Sequence, residues 1–189
     1  MPDKPAGRGY KMQESEIKKY ALSLNIPVLQ PVNLKDPEFI KELKALSPDL
    51  NIVVAFRMLP EVVWDMPKYG TYNLHASLLP QYRGAAPINW AIINGETTTG
   101  VTTFKLVHEI DSGDIAFQEE VEITKTENAG LLHDKLMQVG ARLVVKTVDA
   151  IIDRTIVLYP QTPNLDLKLA PKIFRDTCRI NWASQSDKI

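Results

Sequence analysis

Gly70-Thr71-Tyr72-Asn73-Leu74-His75, continuing through Ala76-Ser77-Leu78-Leu79-Pro80 and Gln81-Tyr82-Arg83-Gly84 to Ala85-Ala86-Pro87, reads as a strand, a loop and the start of a helix. Residues two apart on a strand point to the same face, so Asn73 and His75 project together at the strand's end. A neutral hydrogen-bond donor then stands beside a titratable imidazole. Pro80 stops the strand, Arg83-Gly84 marks a loop, and Pro87 suits the first position of a helix. Open α/β sheets build ligand sites beyond their strand ends in this way.

Working outward, Asn51-Ile52-Val53-Val54-Ala55-Phe56 is an almost unbroken apolar run rich in β-branched residues. That composition predicts a strand buried on both faces of a parallel sheet. Residues 101–107 alternate, Asp111-Ser112-Gly113 supplies a turn, and Ile115, Phe117, Glu119, Val121 and Ile123 alternate again, which predicts an antiparallel, hairpin-like excursion. Helical spacing recurs at Ile17, Ala21 and Leu24, and at Phe39, Ile40, Leu43 and Leu46 behind an Asp36-Pro37 cap. A short helix runs from Pro87 to about Asn94. A long one over residues 128–153 buries Leu132, Leu136, Val139, Leu143 and Val144. Residues 26–29 and 155–159 complete the expected strands, Pro27 confining the first to an edge or a strand start. The expectation is an α/β fold with a doubly wound, mainly parallel sheet and a weakly periodic tail after Pro160.

The 189 residues suffice for one substantial core. With 44% hydrophobic and 24% charged residues, disorder is excluded as the default. A net charge of −1 advertises no global field for nucleic acid, so any such contact must be local. The single cysteine, Cys178, cannot form an internal disulfide, and no apolar run approaches a membrane span. A cytoplasmic protein that does not enter a membrane is expected.

Rival chemistries find little support. His108 and His133 lack partners at ligand spacing, so no metal site is expected. Gly7-Arg8-Gly9 is neither a dinucleotide fingerprint nor a P-loop, and Ser77 lacks the Gly-x-Ser-x-Gly elbow. Taken singly, His75 reads as a locally bonded strand histidine and Asp111 as an ordinary turn aspartate.

Taken in order, the motifs say more. Asn73-x-His75, Ser77-Leu78-Leu79-Pro80 and Tyr82-Arg83-Gly84-Ala85-Ala86-Pro87-Ile88 resemble the core motif of the folate-dependent formyltransferases. Glu109-Ile110-Asp111-Ser112-Gly113-Asp114-Ile115 resembles the family's second motif. Pro2-Asp3-Lys4-Pro5-Ala6-Gly7-Arg8-Gly9 resembles the basic, glycine-rich loop of its tRNA-formylating branch. The resemblance implies a sheet of formyltransferase type, 10-formyltetrahydrofolate as formyl donor, and initiator methionyl-tRNA as acceptor. It implies Asn73, His75 and Asp111 as catalytic residues. Formyl transfer needs a donor for the developing oxyanion, a role suited to Asn73. It also needs a proton relay, suited to His75, and a carboxylate that takes the amine's proton, suited to Asp111.

Main-chain recognition of the pterin is implied between Arg57, Met58 and Leu59 on one wall and Val107, His108, Glu109 and Ile110 on the other. Relatives carry Ala-Tyr-Gly-x-x-Leu-Pro where this chain has Ala55-Phe56-Arg57-Met58-Leu59-Pro60, shorter and without the glycine. Arg8, Lys11 and Arg83 are the residues expected to meet tRNA, the first two because a basic loop suits a phosphate-lined acceptor stem, and Arg83 because the resemblance implies a place at the site's edge. Competing expectations are a formyltransferase for a small amine, such as an amino sugar or glycinamide ribonucleotide, and an inactive remnant or binding module. The resemblance further implies residues 1–170 as the catalytic domain, without its first strand-helix-strand unit. Residues 171–189 then begin a linker to an absent β-rich domain. An unpaired edge along residues 51–75 and a poorly stable isolated chain are expected, with a monomer for the intact protein.

Overall fold

The computed structural model describes residues 2–6, 11–55, 57–162, 166–180 and 182–183, in two compact units. The first unit takes Met1–Asp49 and Arg57–Lys68, the second Leu50–Phe56 and Tyr69–Ile189.

In the first unit, β1 (Lys4–Ala6) and β2 (Lys11–Gln13) pair antiparallel. Helix α1 (Glu16–Ser23) starts where the Ser15 hydroxyl accepts from the Lys18 N–H, and α2 (Pro37–Ala45) where the Asp36 carboxylate accepts from the Glu38 N–H. Both helices fall where the spacing put them, although neither buries a side chain fully. Lys18 bridges Asp3 at 2.6 Å and Glu14 at 2.8 Å. The strand expected at 26–29 does not form. Pro27 removes an N–H donor from this stretch, and Ile26 N–H turns back to Ala21 O at 2.9 Å. Just beyond this stretch, the carbonyls of Pro31 and Val32 accept from the Arg57 guanidinium, at 3.0 and 2.9 Å. The short α3 (Glu61–Trp64) closes this unit.

The second unit holds a four-stranded sheet in the order β3-β4-β6-β7, with β3 at Asn51–Val54, β4 at Thr71–His75, β6 at Thr98–Lys105 and β7 at Ile115–Glu122. The α/β expectation holds, but the sheet is mixed rather than mainly parallel. Only β3 and β4 run parallel, whereas β6 is antiparallel to both β4 and β7. Residues 106–114 between β6 and β7 fall short of the roughly dozen residues that a parallel crossover needs, so the excursion closes as a hairpin. Strand β3 stops before Ala55, whose φ of 48° leaves the extended region; Phe56, in the expected strand, lies outside the described residues. The last expected strand, 155–159, reduces to a single bridge of Tyr159 with Ile115. Thr155 and Ile156 N–H groups instead bond back to Ala150 O, and Pro160 can donate nothing further.

Asn128 caps α5 (Ala129–Ile152), its side chain accepting from the Gly130 and Leu131 N–H groups. Leu132, Leu136, Val139 and Leu143 from this helix join Ala91, Val101, Val121 and Ile123 in the core. Each fully buried side chain of this kind contributes about 1.5–3 kcal/mol. A β-carbon on Gly140 would stand 2.7 Å from Leu74 Cδ2, so glycine lets α5 lie close over that face of β4. Tyr72 also packs in a core cluster with Ile151 of α5. Alternation then turns Asn73 and His75 to the opposite face, where β6 sets Phe104 and Thr102 beside them. The helix therefore determines which face of β4 is left for chemistry.

Beyond β4 come β5 (Arg83–Gly84), α4 (Pro87–Ile93) and, near the chain's end, β8 (Leu169–Ala170), which pairs parallel with β5. Among the described residues, no helix is long and apolar enough to cross a membrane.

Candidate active site

The loop after β4 is fastened to the sheet by side chains of β6 and β7. Thr102 Oγ1 donates to Ser77 O at 2.6 Å and accepts from Leu79 N at 3.1 Å and Gln118 Nε2 at 3.0 Å. Gln118 Nε2 also donates to Leu79 O at 2.9 Å, and Ser77 Oγ donates to Gln81 O at 2.6 Å. Tyr82 N–H donates to Lys168 O at 2.6 Å, and a β-carbon on Gly84 would collide with Ala170 O. Residues 82–84 are thus held from both sides.

This holding brings two of the three expected catalytic residues face to face. Asn73, His75 and Asp111 are 3%, 6% and 8% exposed. His75 Nδ1 lies 3.9 Å from Asp111 Oδ2, while His75 Nε2 lies 2.9 Å from Tyr82 O. A carbonyl oxygen can only accept, so Nε2 carries the hydrogen of that bond. In the neutral ring Nδ1 then turns a lone pair towards the carboxylate, across more than hydrogen-bond distance. Two acceptors facing each other form a slot for a group that brings a proton. Asp111 Oδ2 is fixed by the Gly84 N–H at 3.0 Å, and Ser112 Oγ closes the turn on Glu109 O at 3.1 Å. Among the described residues, Asn73 Oδ1 is a buried side-chain atom without a hydrogen-bond partner. An unmet buried acceptor costs about 1–3 kcal/mol, and sites that take up a ligand are where such groups are tolerated.

The other expected site residues fall in different places. Val107, His108, Glu109 and Ile110 form the exposed run leading into Asp111. Arg57, Met58 and Leu59 belong to the first unit, where Arg57 bonds the carbonyls described above and Met58 is exposed. Arg8 lies outside the described residues, as does the Lys11 side chain, though Lys11 opens β2. The Arg83 side chain is taken up by Gln161 Oε1, which accepts from its Nε at 3.0 Å and its Nη2 at 2.5 Å. Among the described residues there is no group of three or more His, Cys, Asp or Glu able to hold a metal ion.

Three contributors escape a reading of the residue types. The Tyr82 carbonyl and the Gly84 N–H belong to the main chain, which motifs do not display. Gln161 sits in the weakly periodic tail, some fifty positions after the loop it holds.

Tyr82 is itself anchored. Its φ is 58°, and its hydroxyl donates to Glu96 and accepts from Asn94 Nδ2 at 3.0 Å. Lys168 Nζ reaches the same Glu96 oxygen. Burial pushes the Glu96 carboxyl up, but the hydrogen bonds from Lys168 and Tyr82 outweigh it and hold the group below the usual carboxylate range. Tyr82, Glu96 and Lys168 line a cleft of about 400 Å³ together with Leu78, Thr98 and Thr99. A carboxyl lowered on folding stabilises the protein above its unfolded pKa, and that contribution is lost as pH falls through the folded value. Glu96→Gln should therefore lower the melting temperature at pH 7, and the gap should close in the acid range below the ordinary Glu pKa. An equal gap at both pH values, by scanning calorimetry, would assign the effect to packing alone.

The formyl transferase family model matches residues 1–148. The chain belongs to the formyl transferase family. It is 60% identical over 185 residues to the methionyl-tRNA formyltransferase of Bacteroides fragilis, covering 96% of this chain and 57% of that protein. It is 58% identical over 192 residues to the methionyl-tRNA formyltransferase of Bacteroides thetaiotaomicron, covering 100% of this chain and 60% of that protein. The chain thus spans about three fifths of the length of these relatives. Among solved structures it resembles WlaRD, a sugar 3N-formyl transferase crystallised in the presence of dTDP and 5-N-formyl-THF. There the TM-score is 0.69 at 22% identity, covering 91% of this chain and 59% of that one, a likeness of fold.

Proposed function

We propose that this chain carries the catalytic machinery for moving a formyl group from 10-formyltetrahydrofolate to the amino group of initiator methionyl-tRNA. The observation that carries the reading is the His75–Asp111 pair, with Asn73 two residues away on the same strand face. Identity of 58–60% to methionyl-tRNA formyltransferases supports tRNA as the acceptor.

In this reading the amine of the methionyl group attacks the formyl carbon, and the carbonyl oxygen takes on negative charge. The buried Asn73 carboxamide donates to that oxygen, an interaction worth about 3–4 kcal/mol in acyl transfer. The attacking nitrogen gives up its proton into the slot between His75 Nδ1 and Asp111. As the C–N bond to the folate breaks, a proton passes to the leaving nitrogen, with His75 as relay. The product is the formylated amine and tetrahydrofolate. The apolar, exposed Val107 and Ile110 next to Asp111 suit a flat heterocycle, and main-chain groups of residues 107–110 would read its edge. Arg8 and Lys11 are the residues assigned to tRNA phosphates. We further assign residues 1–170 to the catalytic domain and 171–189 to the start of a linker, in a cytoplasmic, monomeric protein.

The test incubates the chain, and a version extended to the relatives' length, with 10-formyltetrahydrofolate and either charged initiator tRNA or small amines. Formylation of the tRNA by the extended version is the expected result. Transfer to an amino sugar or glycinamide ribonucleotide in preference to tRNA would overturn the acceptor assignment. Transfer to neither would end the catalytic one.

A further inference from the structure

We propose that Gln161 is a positioning residue for Asp111, acting through the main chain, and that Arg83 serves to hold Gln161. The proposal builds on the reading of Asp111 as proton acceptor given above. Gln161 uses both ends of its carboxamide. Nε2 donates to the carbonyls of Asp111 at 2.9 Å and Gly113 at 2.8 Å, while Oε1 accepts from Arg83 Nε and Nη2. One side chain therefore grips the backbone at the carboxylate-bearing residue and again two positions on.

The grip falls where the backbone needs it. Asp111 has φ 51°, in the left-handed region that non-glycine residues rarely occupy without support. Its carboxylate is held from the other side by the Gly84 N–H, next in sequence to Arg83. The contacts close a ring from Arg83 through Gln161 and the Asp111 main chain to the Asp111 carboxylate, and back through Gly84. The ring holds Asp111 Oδ2, and the Tyr82 carbonyl holds His75, on the two sides of the 3.9 Å gap. Arg83, with its side chain committed to Gln161, acts on site geometry rather than on a tRNA phosphate.

Gln161→Glu and Gln161→Leu separate the two halves of the contact. Glutamate keeps an acceptor for Arg83 but cannot donate to the carbonyls; leucine keeps volume and loses both. The Gly84 amide, followed by 15N NMR of this chain, reports on Asp111 without any assay of activity. In the unsubstituted chain this amide should exchange slowly, because it donates to Asp111 Oδ2 at 3.0 Å. In both variants Gly84 amide exchange should rise about tenfold or more. In the extended version, kcat should fall about 10–100-fold, with KM for folate changed less than about twofold.

Arg83→Met should give a smaller fall in kcat. The salt dependence of tRNA binding should stay the same, where loss of a phosphate contact would flatten it. If the Gly84 amide in Gln161→Glu exchanges as slowly as in the parent and kcat is unchanged, the positioning role is overturned. If Asp111→Asn is as active as the parent while Gly84 still responds to Gln161, the catalytic reading fails and the clamp stands.

Discussion

His75→Gln and Asp111→Asn should each lower the rate of formyl transfer by about 10²–10⁴-fold, the range for removing a positioned proton-transfer group, with folate binding little changed. These substitutions spare the scaffold. The carboxamide in His75→Gln would still offer an N–H at the reach of Nε2, so the Tyr82 carbonyl that His75 now engages at 2.9 Å keeps a donor. The carboxamide oxygen in Asp111→Asn would still accept from the Gly84 N–H, now 3.0 Å from Oδ2. What disappears is the lone pair of Nδ1 in one case and the negative charge in the other, the two faces of the slot 3.9 Å across. Because the folate is expected to be read by main-chain groups of residues 107–110, its dissociation constant should stay within about threefold, under 1 kcal/mol. Single-turnover rates and equilibrium folate binding, measured side by side in the extended version, provide the check. Near-normal turnover in either variant would remove that residue from the mechanism.

The strand-loop-helix junction is legible because each of its steps has a local cause. Alternation pairs Asn73 with His75, Pro87 begins α4 at its first position, and the Asp36-Pro37 and Asn128 caps start their helices where expected. Apolar spacing finds the buried side of α5, since Leu132, Leu136, Val139 and Leu143 follow one helical face. Strand direction is harder to read. An apolar, β-branched run such as Asn51–Val54 suits a strand whichever way its neighbours run. Yet β3 is an edge strand that leaves Ile52 and Val54 exposed, not the strand buried on both faces that its composition suggests. Only the pairing of β6 with β4 shows the sheet to be mixed. Residues 26–29 and 155–159 look like strands by composition. They lose that status to local partners: Ala21 O for the Ile26 N–H, and Ala150 O for the Thr155 N–H. The site divides in the same way. Its side chains lie in motifs, but the groups that fix their geometry are a carbonyl, a backbone N–H and a glutamine brought in by the fold.

Among the described glycines, Gly113→Ala should be the most damaging substitution. A β-carbon there would stand 1.7 Å from Lys105 O and 3.3 Å from Phe104 Cδ2, and the first of these is main chain that cannot rotate away. Relief requires the residues joining β6 to β7 to separate, which strains the Lys105 N–H bond to Asp114 O at 2.9 Å. It also strains the Gln161 bond to Gly113 O at 2.8 Å. Overpacking of this severity costs about 3 kcal/mol, a large share of a domain stability of about 5–15 kcal/mol. At about 2–4 °C per kcal/mol for a chain of this size, the melting temperature should fall by about 6–12 °C. Gly95→Ala separates the clash from loss of backbone freedom. Gly95 has φ 66° and nothing within 4 Å of the point a β-carbon would occupy, so its cost is conformational only, about 1–2 kcal/mol. Gly95→Ala should leave formyl transfer intact, whereas Gly113→Ala, two residues from Asp111, should also lower the transfer rate of whatever fraction remains folded. Urea unfolding of both variants decides the matter: a Gly113→Ala protein within about 0.5 kcal/mol of its parent, the usual range for neutral surface changes, would mean that the 105–113 contact is not as close as described.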